Sequence, residues 1–355
     1  MTLTDPSTQV RPGEEIDARV IDAFLKDNIE GLEGSPSISQ FPGGASNLTY
    51  LVAYPGREFV LRRPPFGEKA KSAHDMGREF RILNQLNSGF PYCPKAYVHC
   101  TDTALIGSEF YVMERVRGVI LRSDIPTGLG LDARRTEHLC KSFIDRLVQL
   151  HQVDYQACGL ADLGKPEGYV QRQIEGWSSR YDKALTPDAP HWEQVMAWLR
   201  EKMPADHPRP GIVHNDYRFD NVILDAENPM RIIGVLDWEM ATIGDPLMDL
   251  GNSLAYWIEA TDPPAVQLMR RQPSNAPGML TRRQFVDHYA ERAGIRLDNF
   301  DYYYCYGLFR LAGIVQQIYY RYYHGQTQDK RFAQFIDMNR LLEQMTLQVI
   351  DKSAL

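Results

Sequence analysis

The stretch GIVHNDYRFDNVILDAENPMRIIGVLDWEMATIGDPLMDLG, residues 211–251, decides how the rest of this chain is read. An apolar pair, Ile212–Val213, enters a polar loop. Val222–Leu224 follows, Asn228–Pro229 turns the chain, and Ile232–Leu236 returns toward the loop, giving strand, loop, strand, turn, strand. That hairpin is expected to carry Asp237 back beside Asn221.

The loop places His214-Asn215-Asp216 four intervening residues before Asn221, the spacing H-x-D-x-x-x-x-N of kinase catalytic loops. Each position has a chemical reason. A hydroxyl that attacks the γ-phosphate of ATP must be oriented and must lose its proton, so a carboxylate belongs within hydrogen-bond reach; Asp216 is the candidate base. The nucleotide arrives with Mg²⁺, a hard ion that takes oxygen ligands and keeps some of its waters, so one amide oxygen and one carboxylate suffice. Asn221 and Asp237 fit those roles. Arg218, two residues past the base, can set a planar cation against the transferring phosphoryl group. Asp220, Asp225, Asp245 and Asp249 are candidates for support: Asp245 before Pro246 can cap the next helix, and Asp249 can accept bonds from donors around the loop.

Three segments, HNDYRFDN, LDWEMATIGDPLMDLG and the upstream FPGGASN at residues 41–47, together resemble the aminoglycoside phosphotransferase family of small-molecule kinases, a group that includes choline kinase-like enzymes. More narrowly, the chain resembles the kinase domains associated with acyl-CoA dehydrogenases. The resemblance implies an α+β, protein kinase-like fold of two lobes, with ATP in the cleft between them. The N-lobe, residues 1–117, would be an antiparallel sheet plus a helix that binds nucleotide. The larger, mainly helical C-lobe, residues 118–355, would hold the catalytic and acceptor-binding groups. It also implies that His214 is a structural residue that hydrogen-bonds the loop. The expected activity is phosphorylation of a small-molecule hydroxyl, with a hydroxyacyl-CoA or hydroxy acid preferred by analogy and aminoglycosides, choline-like alcohols and sugars as alternatives. A nucleotide-binding regulatory module without catalysis is the competing class. A protein kinase is disfavoured, because Gly244-Asp245-Pro246 follows Asp237 almost at once and leaves no long activation loop.

Composition bounds the class. With 355 residues, 43% of them hydrophobic, the chain can bury a sizeable core and suits two lobes. A formal charge of −7 argues against a general nucleic-acid surface. Five scattered cysteines without a C-x-x-C pair point to a reduced compartment, and Cys93, His99 and Cys100 lack the second ligand pair that zinc requires. The N-terminal segment has no apolar signal core and no run long enough to span a bilayer occurs, so a cytoplasmic protein without membrane contact is expected.

Earlier in the chain, Ile16, Val20, Ile21, Phe24 and Leu25 recur at helical spacing. Gly43, Gly44, Ser46 and Asn47 precede an alternating strand, Leu48 to Tyr54, and the resemblance makes this a glycine-rich loop whose N–H groups face phosphates. In the next strand, residues 58–62, Arg62 stands where the kinase pattern has lysine. Arg62 can hold the α- and β-phosphates, or Lys69 or Lys71 can reach them from the following loop. A helix is predicted over 72–86, with Glu79 on it either pairing with the strand cation or lying solvated. The strand at 109–114 brings Met113 and Glu114 to what the resemblance makes the adenine hinge. Beyond it the pattern turns helical: a helix ends near His151, and Trp177, Trp192 and Trp198 fall in further helices. Residues 301–325 form a long aromatic helix expected to be interrupted at Gly307 and Gly313. Its Arg310, Gln317 or Arg321 are candidates to line an acceptor pocket, since arginines there suit an anionic or acyl-bearing acceptor.

Overall fold

The structure, a computed structural model, describes residues 5–42, 47–66 and 75–355. The chain forms two compact units and crosses between them several times. One comprises Met1–Ile120, Asp154–Leu160 and Val222–Glu239; the other comprises Leu121–Val153, Ala161–Asn221 and Met240–Leu355.

The first unit is built on an antiparallel sheet of β1 (Ser37–Gln40), β2 (Leu48–Tyr54), β3 (Arg57–Arg63), β4 (Ala96–Cys100) and β5 (Phe110–Glu114), in the order β1-β2-β3-β5-β4. Strand β2 buries Leu48, Tyr50, Val52 and Tyr54 and half-exposes the residues between them, the period-two pattern of a strand with one face on a core. Helix α1 (Ala18–Asn28) lays Ile21 and Leu25 into that core with Phe59, Leu61, Phe110 and Val112. Helix α2 (Met76–Leu86) starts after Asp75, whose side chain accepts from the Arg78 N–H at 2.8 Å. The predicted start at residue 72 lies outside the described residues. A hairpin of β7 (Val222–Leu224) and β8 (Ile232–Val235), in register Val222 to Val235, joins this unit through reciprocal Val119–Leu224 bonds of 2.9 and 2.8 Å.

The second unit is mainly helical: α3 (Ala133–His151), α4 (Tyr169–Lys183), α5 (Glu193–Glu201), α6 (Pro246–Ala255), the short α7 (Pro264–Gln267), α8 (Arg282–Ala293), α9 (Asp301–Tyr323) and α10 (Phe335–Lys352). A ribbon of β6 (Gly211–Val213) and β9 (Thr242–Gly244) leads into and out of the loop region. Asp245 caps α6 by accepting from the Leu247 N–H at 2.8 Å, with Pro246 in the first turn. Among the described residues no helix is long and apolar enough to cross a membrane.

Two expectations about the aromatic helices need correction. Helix α9 runs unbroken through Gly307 and Gly313. Those glycines make room rather than end the helix. A Cβ on Gly307 would meet the Gly251 carbonyl oxygen at 2.1 Å, and one on Gly251 would meet the Tyr303 carbonyl oxygen at 2.1 Å, so α6 and α9 cross backbone to backbone. A Cβ on Gly313 would meet the Trp177 ring at 2.9 Å. Trp192 is not inside a helix but precedes α5 in a left-handed conformation, φ 58°. Its indole donates to Asn339 Oδ1 at 2.9 Å, tying that end of α5 to α10.

The glycine crossing carries a prediction. Gly307→Ala should destabilise the protein by about 3 kcal/mol, near the top of the range for overpacking a well-filled contact. Gly176→Ala in α4 meets only the mobile end of Arg180, at 3.4 Å, and should instead stabilise by roughly 0.5–1 kcal/mol through helix propensity. Urea midpoints of the two variants should move in opposite directions; equal shifts would dismiss the steric explanation.

Candidate active site

The first unit gathers a carboxylate cluster around Arg62. Arg62 lies in β3 opposite Tyr111 of β5 and is buried. Its Nη1 donates to Glu79 Oε1 at 2.6 Å and its Nη2 to Asp237 Oδ1 at 3.1 Å, while Glu239 Oε2 stands 3.9 Å from Nη2. A fork with two terminal nitrogens can serve two carboxylates at once, which a lysine ammonium on a shorter stem does less well. Burial opposes the Arg62 charge, but Glu79 foremost, then Tyr111 and Asp237, hold its pKa well above the usual value. Burial pushes the Glu79 carboxyl up, and Arg62 pulls it back. Asp237 follows β8 with φ 67°, and a third of its side chain is exposed.

Asn47, at the end of the glycine-rich segment, donates from Nδ2 to Glu239 Oε2 at 2.9 Å, and Arg78 Nη1 donates to the Glu239 carbonyl at 3.1 Å. Glu239 therefore ties three elements together. The sequence reading passed over it, although its place two residues after Asp237 was a usable signal. Gly43, Gly44 and Ser46 lie outside the described residues, as do Lys69 and Lys71. Met113 is buried opposite Val60. Glu114, exposed, exchanges bonds with Lys95, donating its N–H to the carbonyl at 2.8 Å and accepting the Lys95 N–H at 3.2 Å.

The second unit holds the loop after β6. Asp249, fully buried in α6, accepts the His214 and Asn215 N–H groups at 2.7 Å each, one on each oxygen. It also sits 3.1 Å from His151 Nε2, whose Nδ1 is 2.7 Å from the Tyr289 hydroxyl. Burial raises the Asp249 carboxyl, but His151 and the loop N–H groups outweigh burial and hold it below the usual carboxylate range. These bonds clamp Asn215 at φ 64°, a left-handed conformation that asparagine tolerates. Its side chain is fixed as well: Nδ2 donates to the Met240 carbonyl at 3.1 Å, and Oδ1 accepts from Asn252 Nδ2 at 3.1 Å.

The backbone of the loop is thus pinned from below, and Asp216 is presented above it. The Asp216 N–H donates to His214 Nδ1 at 3.2 Å, so the histidine braces the loop. Asn221 Nδ2 donates to the Asp216 carbonyl at 2.8 Å and to its Oδ2 at 2.9 Å, which leaves the Asn221 amide oxygen without a protein partner among the described residues. Arg218 Nε is 3.1 Å from Asp216 Oδ1, its Nη2 is 3.2 Å from Asp220 Oδ2, and its guanidinium lies 4.6 Å from the Tyr256 ring centroid. Burial raises the Asp220 carboxyl. Asn252, Tyr256 and Tyr289 are residues of this cluster that sequence reasoning missed, since none belongs to a pattern of its own.

Comparison with known proteins fits this geometry. The profile of the APH phosphotransferase enzyme family matches residues 37–285. Human acyl-CoA dehydrogenase family member 11 is 33% identical over 350 residues, covering 96% of this chain and 44% of its own length. The chain therefore spans less than half of that relative. A crystal structure from Ralstonia eutropha JMP134, provisionally named an aminoglycoside phosphotransferase, is 30% identical with a TM-score of 0.81 and covers 96% of this chain and 100% of its own. Choline kinase from Cryptosporidium parvum Iowa II, 13% identical with a TM-score of 0.64, covers 95% and 96% respectively and shares the fold. The architecture is accordingly α+β and protein kinase-like, and the chain belongs to the APH phosphotransferase enzyme family.

Proposed function

We propose that this chain transfers the γ-phosphoryl group of ATP, with Mg²⁺, to a hydroxyl of a small molecule, with a hydroxyacyl-CoA or hydroxy acid as acceptor. The observation that carries the reading is the state of Asp216: a part-exposed carboxylate fixed by Asn221 and Arg218 on a loop whose backbone is locked by buried Asp249. Such a group is preorganised to accept a proton without first rearranging. The name of the human relative supports an acyl-bearing acceptor.

In the reaction the acceptor hydroxyl oxygen bonds to the γ-phosphorus, the bond from that phosphorus to the ADP oxygen breaks, and the hydroxyl proton passes to Asp216. Arg218, already beside Asp216, faces the spread negative charge of the transferring group. Arg62, oriented by Glu79, supplies the cation for the non-transferred phosphates.

The donors present suit magnesium. Asp237 offers a partly exposed carboxylate and Asn221 an amide oxygen, both hard ligands. Among the described residues there is no cluster of three or more His, Cys, Asp or Glu side chains able to hold a metal, so such an ion would take its other ligands from water and phosphate oxygens. When bound, Mg²⁺ would neutralise charge on the β- and γ-phosphate oxygens. Asp237→Ala should therefore weaken Mg-dependent nucleotide binding by about tenfold or more, with a smaller effect on nucleotide binding in EDTA. Calorimetric titration with ATP in both conditions checks this, and equal affinities with and without Mg²⁺ in the wild type would remove the metal role.

Coupled ADP release across 4-hydroxyacyl-CoAs, free hydroxy acids, aminoglycosides, choline and simple sugars tests the function. Turnover on an acyl-bearing acceptor supports it. Turnover on aminoglycoside, choline or sugar alone keeps the phosphotransferase and replaces the acceptor. Mg-ATP binding without turnover on any of them leaves a regulatory module instead.

A further inference from the structure

Arg310 is 4% exposed in the middle of α9, yet among the described residues it forms no ion pair and no hydrogen bond. The other buried arginines among the described residues are answered: Arg62 by Glu79 and Asp237, Arg63 by the carbonyls of Pro64 and Ile106. What surrounds Arg310 is aromatic. Its guanidinium lies 5.3 Å from the Trp177 ring centroid, and Arg180 lies 4.8 Å from the same indole. The phenols of Tyr169, Tyr256 and Tyr306 feel its charge. A ring face eases a buried cation but does not neutralise it, so this position holds positive charge that the protein leaves unmatched.

The location gives that charge a use. Tyr256 feels Arg310, Arg218 and Asp216 together, and its ring is the one against which Arg218 rests while Arg218 holds Asp216. Trp177, against which Arg310 rests, and Tyr169, whose hydroxyl reaches Asn215, both belong to α4, so one helix leads from the unmatched cation to the loop of the candidate base. The Tyr306 hydroxyl donates to Gln173 at 3.3 Å and the Tyr169 hydroxyl to Asn215 at 3.5 Å, so the rings are held in place by α4 and the loop.

We propose that Arg310 receives an anionic group of the acceptor, a carboxylate or a phosphate, while the hydroxyl of the same molecule meets Asp216. The proposal rests on the phosphotransfer reading for the second half of that statement; the anion site stands on Arg310 alone. A guanidinium offers paired donors to either oxyanion, and the aromatic side chains of Trp177, Tyr256 and Tyr306 suit the carbon chain between the two ends. Cationic acceptors would meet Arg310, Arg180 and Arg218 and be repelled.

The test uses one hydroxyacyl chain in three forms, with choline as a cationic probe: 4-hydroxypentanoate, its CoA thioester and its neutral amide, titrated calorimetrically into the full chain with Mg-ADP. The wild type should bind the acid or the thioester about tenfold or more tightly than the amide, as expected for a charge-assisted pair, and choline worst. Preference for the acid assigns a carboxylate, and preference for the thioester assigns a phosphate. Arg310→Gln should bring all three within about threefold of one another, and Arg310→Lys should keep part of the preference. Since Arg310→Gln can fail to fold, its thermal transition is measured first, and the wild-type ranking with the Lys variant decides if it does. Equal wild-type affinities, no binding of any of the three, or a preference untouched in a folded Arg310 variant overturns the proposal. Phosphate transfer is scored separately: anion binding without transfer sinks the kinase reading and keeps the site, whereas equal transfer to acid, thioester and amide does the reverse.

Discussion

Asp216→Asn should lower kcat by about 10²–10⁴, the range for removal of a positioned general base, while Mg-ATP binds as before. Asparagine keeps the shape and can still accept from Asn221 Nδ2 through its amide oxygen. It cannot take a proton, and its NH₂ turns a donor toward Arg218. The ion pair lost is partly exposed, so its removal should cost less than about 1 kcal/mol and leave the fold intact. Turnover from coupled ADP release and affinity from calorimetry separate the roles. A kcat within tenfold of wild type, or Mg-ATP binding lost with it, would remove Asp216 from the position of base.

Arg62→Met should destabilise the protein by about 3–5 kcal/mol, because it leaves Glu79 buried without its counter-ion. Burial already raises the Glu79 carboxyl, and Arg62 is what pulls it back, so the variant lets it rise further. A carboxyl whose folded-state pKa exceeds the unfolded value of about 4.3 gives its full stabilisation below that value and loses it as pH rises through the folded-state pKa. The deficit of Arg62→Met should therefore be smaller near pH 5 than near pH 8. Arg62→Lys keeps a charge for Glu79 but not the fork that also reaches Asp237, and should fall between the two. Urea unfolding of both variants at both pH values measures this; a pH-independent deficit would mean that Glu79 is not the group left stranded.

Strands β2, β3, β5, β6, β7 and β8 and most helices were legible because each is a local pattern: β2 alternates over seven residues and α3 repeats its apolar face to His151, whereas β1, β4 and β9 were passed over. The supports of the loop were legible too, since Asp245 and Asp249 sit close to it in sequence. What escaped was set by contacts between distant segments. Asn47 reaches Glu239 across 192 residues and Arg62 reaches Asp237 across 175, and no window contains both ends. Gly307 was misread for the same reason. Within α9 a glycine looks like a weak point, and only the α6 backbone lying against it shows why nothing larger fits. Trp192 fell in a helical-looking segment, but bonds to α10 hold it outside.

Among the described residues three non-glycine side chains sit at positive φ, and two of them are Asn215 and Asp237. A left-handed aspartate costs the backbone roughly 1–2 kcal/mol that glycine would not. Folding holds a carboxylate at residue 237 only through its part-exposed bond to Arg62, which Glu79 also answers, while it depends wholly on Asp249, which holds the loop from inside the core. Decay should therefore be ordered. In a lineage released from selection for its chemistry, Asp237→Gly is the substitution expected to spread early, and Asp249 should outlast it as a fossil of the site.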